Sequence, residues 1–99
     1  MAYQIILKRR FINKLYKLLW YVEEKWGKQV ADQLVAQLDE RLDTLANQPL
    51  IGISSEKIKN AKSFLLTKHN RVYYRIQNNV IEIVNLYDTR MHPKKNRYK

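Results

Sequence analysis

The chain has 99 residues, of which 45% are hydrophobic, with no cysteine and a formal net charge of +10. That length suits one domain with one modest core, burying roughly 65% of the surface that the unfolded chain exposes. Without cysteine there is no disulfide framework and no thiolate zinc site. The two histidines, His69 and His92, have no carboxylates clustered with them, so neither metal nor cofactor is expected. No apolar run approaches the ~20 residues of a bilayer span. The basic residues follow the short apolar N-terminal stretch, the reverse of a secretory signal, so a cytoplasmic protein without a membrane partner is expected.

In chain order, Tyr3 to Leu7 predicts a short first strand, ended by Lys8-Arg9-Arg10. From Arg10 the period changes. Phe11, Leu15, Leu18, Leu19, Val22 and Trp26 follow the spacing of one helical face. Gly27 interrupts it as a left-handed cap. Val30, Leu34, Val35, Leu38, Leu42 and Leu45 predict a second helix, stopped before Asn47-Gln48-Pro49. The two form an antiparallel hairpin ~25–30 Å long. Glu23, Glu24, Asp32, Asp39, Glu40 and Asp43 fall mostly off the apolar stripe and make a solvated face. Tyr16, Trp20 and Trp26 are assigned to core or hairpin packing.

Leu50 to Asn60 is expected to be a loop. Three strands follow, Ser63–Lys68, Arg71–Gln77 and Val80–Tyr87, with His69-Asn70 and Asn78-Asn79 as two-residue connections. Asn-Asn tolerates the positive φ that a type I′ turn requires at both central positions. Val72, Tyr74 and Ile76 point to one face, and Arg71, Tyr73, Arg75 and Gln77 to the other. The last strand, VIEIVNLY, is apolar on both sides and belongs at the centre of the sheet. The order β-α-α-β-β-β predicts an α+β fold of two layers in one domain spanning 1–99, with the helical hairpin on one face of a mainly antiparallel sheet.

The charge is segregated. Residues 1–22 carry five Lys/Arg and no acid, residues 23–43 hold six Asp/Glu against three basic residues, and residues 44–99 hold eleven basic and three acidic residues. Concentrating cations in this way costs self-repulsion unless an anionic partner offsets it. Phosphate loops, nucleophile elbows and paired metal-binding histidines are all missing. The Lys, Arg, Tyr and His content would suit one reaction, RNA cleavage by its own 2′-hydroxyl, with cations stabilising the transition state and a proton shuttle beside them. Candidate positions are Lys68, Arg71, Arg90, His92 and Tyr98. Each has a plainer alternative: a soluble hairpin end for Lys68 and Arg71, an ion pair with Asp88 for Arg90, a loop histidine for His92. Binding of a nucleic acid or protein partner would fall to Arg71, Tyr73, Arg75, Arg90, Lys94 and Lys95, with Tyr73 able to stack on a base or to serve the packing.

Over nearly its full length the chain resembles the RelE/ParE superfamily of type II toxin–antitoxin toxins. The resemblance is carried by YQIIL, the helix opening at Arg10-Phe11, GKQVADQL with its L-D-x-L ending, NQPLIG, and RVYYRIQNNVIEIVNLYDTR. It implies a small basic toxin of the plasmid-stabilization type, neutralised in a hetero-oligomer by a cognate acidic antitoxin whose C-terminal segment wraps it. RelE-like members cut mRNA on the ribosome, whereas ParE-like members poison DNA gyrase and have no established nuclease site. Arg71 and Arg90 match the RelE-like strand arginines, and Arg90-Met91-His92 is similar to the ending of YoeB-like members. Tyr98 is displaced from the RelE-like tyrosine. The long helical hairpin split at Gly27 and the N-Q-P-x-x-G loop are ParE-like. The resemblance thus implies first a gyrase-binding inhibitor, second a ribosome-dependent mRNA endonuclease (an mRNA interferase). A non-toxic basic binding module is a third possibility.

Overall fold

The computed structural model describes residues 3–54 and 60–89. Strand β1 (Gln4–Leu7) leads into helices α1 (Arg9–Trp26) and α2 (Lys28–Asn47). A 3₁₀ turn (Pro49–Ile51) and four strands follow: β2 (Ile53–Ser54), β3 (Lys62–Thr67), β4 (Asn70–Gln77) and β5 (Val80–Asp88). The expected β-α-α-β-β-β order is present. Within the segment expected to be loop, the structure adds the 3₁₀ turn and the two-residue edge strand β2. The sheet runs β1-β5-β4-β3-β2. Only the β1–β5 pair is parallel.

Both helices pack on the face formed by Val72, Tyr74, Ile81, Ile83 and Leu86, and the core is completed by Phe11, Val22, Leu34, Leu38 and Leu45. β5 lies inside the sheet, between β1 and β4, with β4 in the middle place, and its two-sided apolar pattern has a second cause. Tyr73 pairs with Asn85 while Tyr74 pairs with Ile83, so Val84 is an extra residue in a β-bulge. A bulge shifts the side-chain alternation by one. Ile81 and Ile83 therefore face the helices before it and Leu86 does so after it, while Asn85 and Tyr87 turn outward beside Tyr73.

Three local readings are corrected. The β3–β4 turn is Lys68-His69, one residue earlier than expected, because Asn70 already pairs with Asp88. Thr67 Oγ1 anchors it, accepting hydrogen bonds from His69 N–H (3.2 Å) and Asn70 Nδ2 (2.8 Å). In the β4–β5 turn Asn78 takes positive φ (57°) and Asn79 does not, so the turn lacks the paired positive φ of type I′. Gly27 has φ 95° and ψ 166°, which is not the left-handed helical cap but an extended region that is essentially glycine-only.

The NQPLIG segment folds around one phenol. Tyr74 is fully buried. Its hydroxyl donates to the Pro49 carbonyl (2.7 Å) and accepts from Gly52 N–H (3.1 Å). Gly52 is required by this close approach: a Cβ there would collide with the hydroxyl and lie 2.9 Å from the Ser63 carbonyl oxygen. Tyr74→Phe is expected to lower stability by about 1–3 kcal/mol in denaturant unfolding, because both backbone groups lose their partner. Gly52→Ala should cost more, and adding Tyr74→Phe to it should recover part of the loss by removing the collision. Gly27→Ala should cost about 1–3 kcal/mol from backbone conformation alone, since an added Cβ would meet nothing within 4 Å.

Candidate functional site

The sheet face opposite the helices collects the strand cations. Arg71 and Arg75 project from β4 on the same side, two pleats or ~13 Å apart. Arg71 is half-buried and donates from Nη1 to Ser63 Oγ (2.9 Å), a neutral partner that aims the guanidinium without cancelling its charge. Arg75 is exposed and lies opposite Glu82 in the β4–β5 register. The Glu82 carboxylate is 4.0 Å from Lys8 Nζ. Among the described residues, neither Arg71 nor Arg75 is ion-paired. Lys68 is exposed in the turn next to the start of β4, at the sheet end where Arg71 lies opposite Tyr87. Arg90, His92, Lys94, Lys95 and Tyr98 lie outside the described residues.

Tyr73 shares the face with the arginines but is 6% exposed. Its ring meets Tyr87 edge-on at 5.2 Å. Burial pushes its phenol above the ordinary 10.0, and the Arg71 guanidinium partly opposes this. Tyr73 is therefore a packing residue with a neutral hydroxyl, the packing role of the two that the sequence offers for it. Asn85 is likewise buried, and its Nδ2 donates to the Tyr87 hydroxyl (2.8 Å).

A second feature escaped the sequence. Between the helical hairpin and the β3–β4 turn runs an open groove of about 760 Å³. Leu18, Tyr21, Val22 and Trp26 of α1, Val30 and Leu34 of α2 and Leu86 of β5 supply its apolar lining. β1 pairs with β5 only as far as Ile83, so the rest of that strand margin is available to α1. There Lys14 Nζ lies 4.0 Å from the centre of the Tyr87 ring. Burial, then the Arg10 and Lys17 cations, lower the Lys14 ammonium from 10.5 to about 8. Lys17, His69 and Asp88 also border the groove.

The α1 aromatics also depart from expectation. Tyr16, Trp20 and Trp26 are 65%, 69% and 60% exposed. Tyr16 and Trp20, one turn apart, lie on the solvent side of the helix, opposite buried Phe11 and Val22. Trp26, at the end of the predicted apolar stripe, instead borders the groove, its ring centre 6.0 Å from that of Tyr21 in an edge-to-face arrangement. The six acidic side chains of the hairpin are exposed, as expected.

The helical hairpin over a five-stranded mixed sheet superposes on solved chains of several toxin–antitoxin systems. A chain of the ParDE toxin–antitoxin system of P. aeruginosa superposes with a TM-score of 0.74 at 16% identity, over 88% of this chain and 96% of that one. The RelBE2 toxin–antitoxin complex of Mycobacterium tuberculosis gives 0.60 at 16% identity, over 89% and 99%. The isolated E. coli RelE toxin gives 0.60 at 15% identity, over 94% and 90%. No curated protein matches the sequence significantly. The model of the family described as the ParE toxin of the type II toxin–antitoxin system parDE matches residues 5–93, and the chain belongs to that family. No helix among the described residues is long and apolar enough to cross a membrane.

Lys14 supplies a test of the groove electrostatics. Its folded value lies below its unfolded one, so the unfolded chain binds more protons between about pH 8 and pH 10.5. Stability should therefore rise with pH across that window. Lys14→Met is expected to be more stable than the wild type near neutral pH. The difference should shrink towards pH 10.5 in urea titrations at stepped pH.

Proposed function

We propose that this toxin arrests growth by binding and inhibiting DNA gyrase, with the cations of the open sheet face as its contact surface, and that an acidic antitoxin holds it in check. The match to the ParE toxin family over residues 5–93 carries the proposal. Helices of 18 and 20 residues joined at one glycine support it, as the long hairpin of the ParE-like branch. Arg71 and Arg75 are the contacts within the described residues, with Arg90, Lys94 and Lys95 as their continuation along the chain. An antitoxin partner is supported by the ParDE, RelBE2 and DinJ-YafQ toxin–antitoxin systems among the similar folds.

One observation favours ribosome-dependent mRNA cleavage as the second reading. Arg71 is held by Ser63 next to the Lys68 turn, so two of the cations required by that chemistry lie at one sheet end. Arg90 and His92 or Tyr98 would complete the set.

Induction in cells separates the two. Gyrase poisoning should produce filaments and a DNA-damage response, and purified toxin should block supercoiling. Rapid arrest of translation with transcripts cut in the ribosomal A site would replace the gyrase reading with the endonuclease one. Arg71→Glu together with Arg75→Glu is expected to weaken inhibition by roughly tenfold or more, equivalent to about 1.4 kcal/mol per tenfold. Unchanged inhibition would remove the sheet face from the contact.

A further inference from the structure

The charges of α1 suit neither end of its own dipole. Its first turn holds Arg9 and Arg10 and no acid, and its last turn holds Glu23 and Glu24. A helix alone prefers the reverse, acids at its N-terminus and cations at its C-terminus. All four side chains are exposed, and among the described residues none of them is ion-paired. Between the two charged ends stand the exposed rings of Tyr16 and Trp20. Arg9, Tyr16, Trp20 and Glu23 fall at i, i+7, i+11 and i+14, one stripe ~21 Å long on the side of the helix away from Phe11 and Val22. The stripe is basic at one end, aromatic in the middle and acidic at the other.

We propose that this stripe pairs with its counterpart on a second copy of the chain, the two α1 helices running antiparallel about a two-fold axis. With Tyr16 of one copy across from Trp20 of the other, Arg9 and Arg10 come within ~6 Å along the axis of Glu23 and Glu24 of the second copy, inside the reach of an arginine. The axis repeats every contact, so both charged ends are matched at once. The mismatch within one helix is reversed between two, because the arginines of each meet the negative end of the other.

Charge selects this occupant. An anionic bilayer or a nucleic acid would accept the arginines and the rings, but Glu23 and Glu24 would repel it. A second copy satisfies both ends. The net charge of +10 opposes self-association, yet the sheet arginines lie on the far side of each copy, where salt screens them from one another. The stripe is small beside a standard interface of roughly 1,600 Å², so the dimer should be a weak one. It leaves the open sheet face uncovered and does not depend on which target the protein has.

Sedimentation velocity of the full chain should show a monomer passing to a dimer at roughly 10–100 µM. Trp20→Ala should weaken the dimer about tenfold or more. Leu50→Ala, which removes an equally exposed side chain from the 3₁₀ turn, should leave it unchanged. Arg9→Glu with Arg10→Glu places acids at both ends of the stripe, and Glu23→Arg with Glu24→Arg places cations at both. Each of these chains alone should stay monomeric with wild-type circular dichroism. Mixed in equal amounts they should pair at least as tightly as the wild type, since every end then meets its opposite. A monomer throughout the range, a dimer indifferent to Trp20, or swapped chains that do not pair on mixing would each overturn the proposal. So would Trp20-dependent cosedimentation of a monomeric chain with phosphatidylglycerol vesicles, which would give the stripe to a lipid surface.

Discussion

Much of the site geometry follows from one unpaired residue in the last strand, β5. Val84 adds a position to β5 that β4 does not match, and every side chain after it changes side. Without that slip, Leu86 would point away from the helices, and Asn85 and Tyr87 would be forced into the hydrophobic layer between sheet and hairpin. With it, Leu86 helps to line the groove, Asn85 and Tyr87 join Tyr73 behind the arginines, and the Tyr87 ring comes within reach of Lys14. Bulges commonly re-aim side chains next to working surfaces. Here one of them serves both sides of the sheet.

The electrostatic layout is equally asymmetric. α1 opens with Lys8, Arg9 and Arg10 and has no acid in its first turn, although cations at a helix N-terminus oppose its dipole. Six of the nine acids are gathered on the exposed side of the hairpin, away from the sheet arginines. Ser63, a neutral donor–acceptor, holds Arg71 instead of a carboxylate. Among the described residues, Arg71 and Arg75 are thus left without an ion pair.

The fold was legible because its signals are periodic. Both helices, four strands, the interior place of β5 and the two faces of β4 follow from apolar spacing, and the observed boundaries agree within one or two residues. What stayed hidden depends on contacts distant in sequence. The bulge at Val84 is invisible because a strand apolar on both sides looks the same with or without a change of phase. The Tyr74 bridge to Pro49 and Gly52 joins residues more than twenty positions apart. Residue type points Tyr16 and Trp20 to packing and helical spacing adds Trp26, yet the position of each on the folded helix decides its exposure. Arg71 and Arg75 were recoverable from strand alternation. Lys14 was not, because its significance comes from Tyr87, seventy-three positions later in the chain.

The two helices share a single connecting residue, Gly27, whose amide donates to the Glu23 carbonyl and whose own carbonyl accepts from Ala31 N–H (2.9 and 3.3 Å). A joint this short has no slack. Any sliding of one rod past the other would have to be absorbed by the backbone of Gly27 itself, whose dihedral angles only glycine adopts readily.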